Sequence, residues 1–347
     1  MVSLATASES LKVWRFEKDD LSLVSRFSPP TGRCSCFAWN HTNQVVAVGG
    51  TESKIFLIHA HNGQILSSLQ ISEDNGSNLN ASSVALSSNS RFLATSLKND
   101  IQVWDLKRRQ LKSVMNEHVQ NVTSTCFLPT GEIVSGDTSG AVRIWDSKNY
   151  VSANELLATP DRSEAVTSLS ISPVSAVHLA TGYSSGMLSV WDTVTFQQLR
   201  RLTAHTGSLN SVAYSPINPK LVATAGSDSR VTLFDTGARS SGTPSAVIQL
   251  AESVNITTVA FHEDALHAAI GLSNGRVMVY DWRKTNRPVL DKPAHDHFPV
   301  LALAFQVSLC HLLVTFRFSL LTYDFFVFYR FNRCLKARVT MLLQQVR

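Results

Sequence analysis

Val142-Arg-Ile-Trp145-Asp146 is one of seven short segments that end alike, with a β-prone run, then an aromatic or aliphatic residue, often followed by Asp. The residues that close these runs are Trp14, Ile58, Trp104, Trp145, Trp191, Phe234 and Tyr280. The intervals between them are 44, 46, 41, 46, 43 and 46 residues. A period of about 40–45 residues with a terminal Trp-Asp indicates one four-stranded unit per repeat, arranged around a ring.

The repeat at 206–250 shows the pattern within one unit. It predicts strands at Leu209–Tyr214, Leu221–Ala225, Arg230–Phe234 and Ala246–Leu250. Proline follows the first run at Pro216, where it stops a strand. The same order of runs and turns recurs at 163–202, 119–158, 80–115, 33–71 and 254–292.

The two chain ends are predicted to share one unit. The chain opens with a second, a third and a fourth strand (Val2–Ala7, Leu11–Phe16 and Leu21–Phe27) but no first strand. Phe298–Phe305 supplies that first strand from the far end, which removes exposed sheet edges. We therefore predict an all-β, seven-bladed propeller over residues 1–306.

Residues 307–347 fall outside the repeat. They carry six basic residues and one acidic residue, which leaves 25 basic and 25 acidic side chains in residues 1–306, of the chain's 31 and 26. The propeller is thus neutral overall, and a whole-domain basic footprint for nucleic acid is absent. Three interpretations of this hydrophobic and basic tail remain open: a non-native C-terminus such as translated intron, a membrane span, or a packed eighth repeat. Arg317 and Asp324 argue against the span, and we expect no membrane partner.

The cysteines and the N-terminus indicate a cytoplasmic protein. Cys34, Cys36, Cys126, Cys310 and Cys334 form no CxxC pair, and buried reduced thiols are the better interpretation. Residues 1–8 have neither a basic nor an apolar segment of the kind a signal peptide needs.

Several polar residues are candidates for buried hydrogen-bond networks. In propellers of this type, a His before the first strand, a Ser or Thr on the second, an Asp in the next turn and a Trp on the third can bond together. One repeat places His205, Thr224, Asp228 and Phe234 there, although Phe has no N–H to donate. Another has His118, Ser135 and Trp145, with Ser139 where Asp is expected.

The chain is predicted not to be an enzyme. It has no GxSxG, HExxH or GxxxxGK[ST] motif, and its repeat-spaced glycines are interpreted as turn residues. His59 with His61, and His295 with His297, could each offer a metal two nitrogens but lack a third ligand nearby. We predict no metal and no cofactor.

The densest basic cluster of the propeller is Lys107, Arg108 and Arg109 with Lys112. It falls between a third and a fourth strand, at the periphery. Two interpretations are open: a solvated edge that discourages strand pairing, or a contact for an acidic protein partner.

The repeats resemble the WD-repeat β-propeller superfamily over residues 1–306. Gly226–Thr236, Ala269–Asp281 and Ala294–Gln306 look like the last blades of the γ-tubulin ring complex targeting adaptors, and Val103–Lys107 is similar to the same family. That family was first named for neural-precursor-expressed, developmentally down-regulated proteins. The resemblance brings no catalytic residues.

The resemblance implies a scaffold that localises to centrosomes or spindle microtubules and takes γ-tubulin complexes there for microtubule nucleation. In that family a disordered linker and a C-terminal helical segment bind the γ-tubulin complex, and neither follows Gln306 in this sequence. The alternative is a generic WD-repeat subunit of another assembly, such as a ubiquitin-ligase substrate receptor or a trafficking coat. Both hypotheses predict protein partners and no nucleic acid.

Overall fold

Short strands joined by turns and short linkers make up the described structure. The structure is a computed structural model and describes residues 2–17, 20–30, 32–71, 80–157, 164–238 and 242–306. The predicted tail at 307–347 lies outside the described residues. Within the described ranges no helix has the length and hydrophobicity needed to cross a membrane.

The strands follow the predicted repeat closely. In chain order they are β1 (Val2–Ala7), β2 (Leu11–Glu17), β3 (Asp20–Phe27), β4 (Cys34–Trp39), β5 (Val45–Gly50), β6 (Lys54–His59), β7 (Ile65–Gln70), β8 (Ala81–Leu86), β9 (Phe92–Leu97), β10 (Asp100–Asp105), β11 (Gln110–Met115), β12 (Val122–Phe127), β13 (Ile133–Asp137), β14 (Ala141–Trp145), β15 (Ser152–Leu157), β16 (Val166–Ile171), β17 (His178–Tyr183), β18 (Met187–Asp192), β19 (Gln198–Thr203), β20 (Leu209–Tyr214), β21 (Leu221–Gly226), β22 (Arg230–Asp235), β23 (Ala246–Gln249), β24 (Ile256–Phe261), β25 (His267–Leu272), β26 (Arg276–Asp281), β27 (Leu290–Pro293) and β28 (Ala302–Phe305).

These strands form seven antiparallel sheets of four, which are the seven predicted blades. Blade 1 has the order β28-β1-β2-β3, and blades 2 to 7 each take four consecutive strands. We call the four strands of a blade a, b, c and d. The a–b and c–d turns lie at one face of the ring, and the b–c turns and d–a linkers lie at the other.

Blade 1 confirms that a strand just before Gln306 pairs with the N-terminal strands and closes the ring. β28 pairs with β1 in the register Leu4 to Phe305 and Ala7 to Ala302. The strand is shorter than the predicted Phe298–Phe305. Pro299 has no N–H to donate, and the Val300 N–H donates instead to the Leu272 carbonyl of blade 7 at 3.1 Å.

The core lies between the blades. The b strands are buried almost throughout, as in β5 and β21, because a neighbouring blade covers each face. The d strands are half-exposed, as in β7 and β19. Leu303 and Phe305 of β28 join this core, with Phe305 packed in one apolar cluster with Leu4 and Val279.

Hydroxyl and amide donors near the axis link consecutive blades. The second residue of six a strands donates its side-chain hydrogen bond to a backbone carbonyl at the start of the next a strand or, for β28, two residues before it. The pairs are Ser35 to Ala81 (3.1 Å), Ser82 to Val122 (2.6 Å), Thr123 to Val166 (2.6 Å), Thr167 to Leu209 (2.5 Å), Asn210 to Ile256 (2.7 Å) and Thr257 to Val300 (2.5 Å). The corresponding position of blade 1 is Leu301, whose side chain has no polar group. The series of hydrogen bonds is therefore interrupted between blades 1 and 2.

Candidate functional site

Blade 4 contains a fully buried chain of four polar side chains. His118 Nδ1 lies 2.7 Å from Asp137 Oδ2, and His118 Nε2 lies 2.6 Å from Ser135 Oγ. The carboxylate can only accept, so Nδ1–H donates to Asp137 and Nε2 accepts from Ser135. The Trp145 indole N–H donates to Ser135 Oγ at 2.7 Å. The network thus ties strand c to strand b and to the linker before the blade.

Asp137 has the role that the sequence analysis expected at Ser139. Asp137 ends β13, whereas Asp228 lies in the equivalent b–c turn of blade 6. Ser139 supports the carboxylate of Asp137 by donating both its N–H and its hydroxyl, at 2.8 and 2.6 Å. Burial alone would raise the pKa of Asp137, but the hydrogen bonds from His118 and Ser139 outweigh burial and hold the pKa below its ordinary value.

The order Asp137, His118, Ser135 has the connectivity of a hydrolase triad, but its surroundings differ. Ser135 is 0% exposed and His118 is 2% exposed. Ser135 Oγ already accepts the Trp145 N–H, where a triad serine must be free to attack a substrate carbonyl. A buried hydrogen-bond network that fixes the blade accounts for this geometry.

Blade 6 places His205, Asp228 and Thr224 in a similar chain. His205 Nδ1 is 2.9 Å from Asp228 Oδ1, and His205 Nε2 is 2.9 Å from Thr224 Oγ1. Phe234 is buried at the position of the indole and cannot donate. Burial lowers the pKa of His205 below its ordinary value, against the opposing effect of Asp228.

Blade 1 has a network that the sequence analysis missed. His295 Nε2 lies 3.0 Å from Thr6 Oγ1, His295 Nδ1 lies 3.1 Å from Glu9 Oε2, and the Trp14 indole N–H donates to Thr6 at 3.0 Å. Glu9 replaces the Asp of the other blades. The sequence does contain a signal for this network. Ala294-His295 precedes the first strand of blade 1, as Ala204-His205 precedes the first strand of blade 6. This network links residues at opposite ends of the chain.

Acid is expected to destabilise the fold before carboxylates titrate. Burial lowers the pKa of both His205 and His295 from 6.5. Below about pH 6.5 the unfolded chain therefore binds protons that the folded chain does not, so stability falls as pH falls. Melting temperatures at successive pH values between about 7.5 and 5.5 check this. His205→Gln should flatten the dependence, and a melting temperature that stays constant over this range would contradict the sign.

His205→Ala is expected to lower the free energy of unfolding by about 1–3 kcal/mol, because Asp228 loses its imidazole donor in a nearly buried place. The carboxylate keeps only the bonds from Thr206 and its own turn. Urea denaturation measures the change. His61→Ala, at an exposed turn histidine, is the control and should stay within about 0.5 kcal/mol of the parent. Equal effects of the two substitutions would disprove a structural role for His205.

Near the start of strand β25, three further side chains have the residue types of a metal site. His262, Asp264 and His267 place their ligand atoms within 4.8 Å of one another. However, Asp264 Oδ2 is only 2.6 Å from His267 Nδ1, and its other oxygen accepts the backbone N–H groups of Leu266 and His267. Burial raises the pKa of Asp264, but these hydrogen bonds outweigh it and lower the pKa to about 2. Hydrogen bonding therefore accounts for the cluster without an ion.

The basic cluster lies where the sequence places it, on the c–d turn of blade 3. Lys107, Arg108 and Arg109 are exposed. The backbone N–H groups of Lys107 and Arg108 donate to the Asp105 carboxylate at 3.0 and 3.1 Å, which fixes the turn. Among the described residues, these three side chains form no ion pair.

Lys112 differs from the rest of that cluster because it contacts the next blade. Its Nζ lies 4.3 Å from the Phe92 ring centroid and donates to Tyr150 Oη at 2.8 Å. Arg200 has the equivalent place in β19 and donates to the Thr236 carbonyl of blade 6 at 3.2 Å. Each of these side chains connects a d strand to the c–d turn of the next blade. Lys112 thus holds two blades together, a role the sequence analysis did not assign to it.

Comparison with known sequence families matches three parts of the chain. Residues 109–146 match the WD domain, G-beta repeat, and residues 1–89 match the WD40 domain of anaphase-promoting complex subunit 4. Residues 194–318 match the N-terminal domain of nucleolar protein 10-like proteins, a β-propeller. Together with the seven sheets, these matches decide the architecture. The described part of the chain is a seven-bladed WD-repeat propeller.

The propeller has relatives of modest identity. Human Protein NEDD1 is 25% identical over 317 residues, which are 88% of this chain and 45% of the relative. Protein NEDD1 of Bos taurus is 25% identical over 311 residues, with the same coverage. Protein tipD of Dictyostelium discoideum is 21% identical over 248 residues, or 71% of this chain and 39% of the relative. The chain spans less than half the length of these relatives, and no enzyme family is among the matched families.

Proposed function

We propose that this chain is a non-catalytic protein-interaction scaffold that helps to direct γ-tubulin ring complexes to centrosomes or spindle microtubules. The observation that carries the proposal is the similarity to Protein NEDD1 over 88% of the chain. The γ-tubulin adaptors that the sequence resembles localise through such a propeller. The buried networks of blades 1, 4 and 6 support a structural role for their polar residues, and the exposed turns remain for partners.

A second candidate is a subunit of another assembly, such as a ubiquitin-ligase substrate receptor or a trafficking coat. It is favoured by the match of residues 1–89 to a WD40 domain of an anaphase-promoting complex subunit. That match covers strands β1 to β8, whereas the similarity to Protein NEDD1 runs through most of the ring.

Localisation in dividing cells tests the first candidate. The chain with a fluorescent tag is expected in the cytoplasm, with enrichment at spindle poles or other microtubule-organising sites. A tagged chain ending at Arg287, which lacks the closing strand, is the control for folding and should lose the enrichment. Uniform distribution of the intact chain in mitosis would refute the proposed function.

A further inference from the structure

We propose that the c–d turns of blades 3 and 4 bind an acidic polypeptide segment, an inference that rests on the proposed scaffold function. The docking surface is a basic patch formed by Lys107, Arg108, Arg109 and Lys148. Lys148 lies in the turn after β14, on the same face of the ring as the other three. All four side chains are exposed.

The two turns form one continuous surface. Lys112 lies between them, because its Nζ is 4.3 Å from the Phe92 ring centroid of blade 3 and 4.8 Å from the Tyr150 ring centroid of blade 4. Its hydrogen bond to Tyr150 Oη spans the boundary between the blades. A partner that contacts Arg109 can therefore reach Lys148 across packed side chains.

Positive charge exceeds negative charge at the patch, although the Asp146 carboxylate attracts Lys148 electrostatically. Asp105 accepts two backbone N–H groups of its turn and pairs with Arg91 at 3.3 Å. Asp146 accepts the backbone N–H groups of Lys148 and Asn149 at 2.7 and 3.2 Å. Both carboxylates hold turn backbone, and in the described part of the chain no ion pair joins them to the four side chains of the patch. An acidic partner would supply the missing counter-charges.

At one position of the c–d turns, where φ is positive, blades 3 and 4 have large side chains although glycine would cost less free energy. Arg109 and Tyr150 have φ values of 55° and 56° at the same place in their turns. Blade 2 has Gly63 there, with a φ of 70°. Blade 5 has Phe196 at this place, with a φ of 57°, so the left-handed conformation belongs to this type of turn and is not restricted to the patch. A bulky residue in this region costs free energy, and at Arg109 the turn directs a long basic side chain where glycine would fit the backbone.

Apolar neighbours favour a polypeptide as the partner. Leu111 is 44% exposed and Val151 is 52% exposed beside the basic side chains. An acidic segment with Leu-like residues between its carboxylates matches both features. A nucleic acid would instead present a line of phosphates to a larger basic surface, and residues 1–306 carry equal numbers of basic and acidic side chains.

The test uses the purified full chain and a fluorescent peptide in which glutamates alternate with leucines. Fluorescence anisotropy should show binding that weakens as salt rises, and the same peptide with Gln in place of Glu should bind far less. Lys107→Glu/Arg108→Glu should weaken binding roughly tenfold. The matched control, Lys284→Glu/Arg287→Glu, makes the same charge change on the c–d turn of blade 7 and should leave binding intact.

A further variant separates docking from folding. Arg109→Gly removes the side chain but suits the backbone, so binding should weaken without a fall in melting temperature. Equal loss of binding in the blade 3 and blade 7 variants would overturn the proposal, as would tighter binding of oligouridylate than of the peptide. This assay uses no cells, so failed localisation with intact peptide binding would refute only the proposed function. Failed peptide binding with normal localisation would refute only this inference.

Discussion

A chain that ends at Arg287 is expected to aggregate or to melt at a much lower temperature than the full chain. The shortened chain lacks β27 and β28, and β1 then has an unpaired edge. It also lacks Val300, Leu303 and Phe305, which are at most 8% exposed. Burial of each such side chain is worth about 1.5–3 kcal/mol, and a typical domain has only about 5–15 kcal/mol in total.

The control for this truncation is a chain that ends at Gln306, which keeps every strand of blade 1. Differential scanning calorimetry and size-exclusion chromatography compare the two. The chain ending at Gln306 should remain a monomer with a melting temperature close to that of the full chain. A chain ending at Arg287 that is monomeric and equally stable would show that the ring does not depend on β28.

Trp145→Ala is expected to cost about 3–5 kcal/mol, because the indole is 0% exposed and its removal leaves a large cavity. Trp145→Phe should cost much less. It removes the hydrogen bond to Ser135 but fills most of the space, as Phe234 does at the equivalent place in blade 6. Urea denaturation gives both values. A Phe substitution as costly as Ala would mean that the hydrogen bond, and not the packing of the ring, dominates at this position.

The strands could be predicted because their signals are local. Alternating apolar residues, turn residues and the Trp-Asp ending all lie within one repeat, and the predicted Leu209–Tyr214 is β20 in the structure. Closure of the ring was also predictable, since blade 1 visibly lacked a first strand. The exact start of β28 was not, because it depends on how Val300 bonds to blade 7.

The hydrogen-bond networks were harder to predict because their members are far apart in sequence. Thr6 and His295 are 289 positions apart, and the motif changes there from Asp to Glu9. In blade 4 the carboxylate belongs to Asp137 at the end of the strand and not to a residue of the turn. A fixed spacing therefore pointed to Ser139. Lys112 looked like a surface charge because its partners belong to two different blades.

Proximity labelling in mitotic cells tests the proposed role most directly. The full chain fused to a labelling enzyme is compared with the enzyme alone, and biotinylated proteins are identified by mass spectrometry. We expect centrosomal or spindle proteins to be enriched above all other groups, with γ-tubulin complex subunits labelled because they share that location. Enrichment of cullin adaptors or coat subunits without γ-tubulin complex proteins would contradict the account and favour the second candidate.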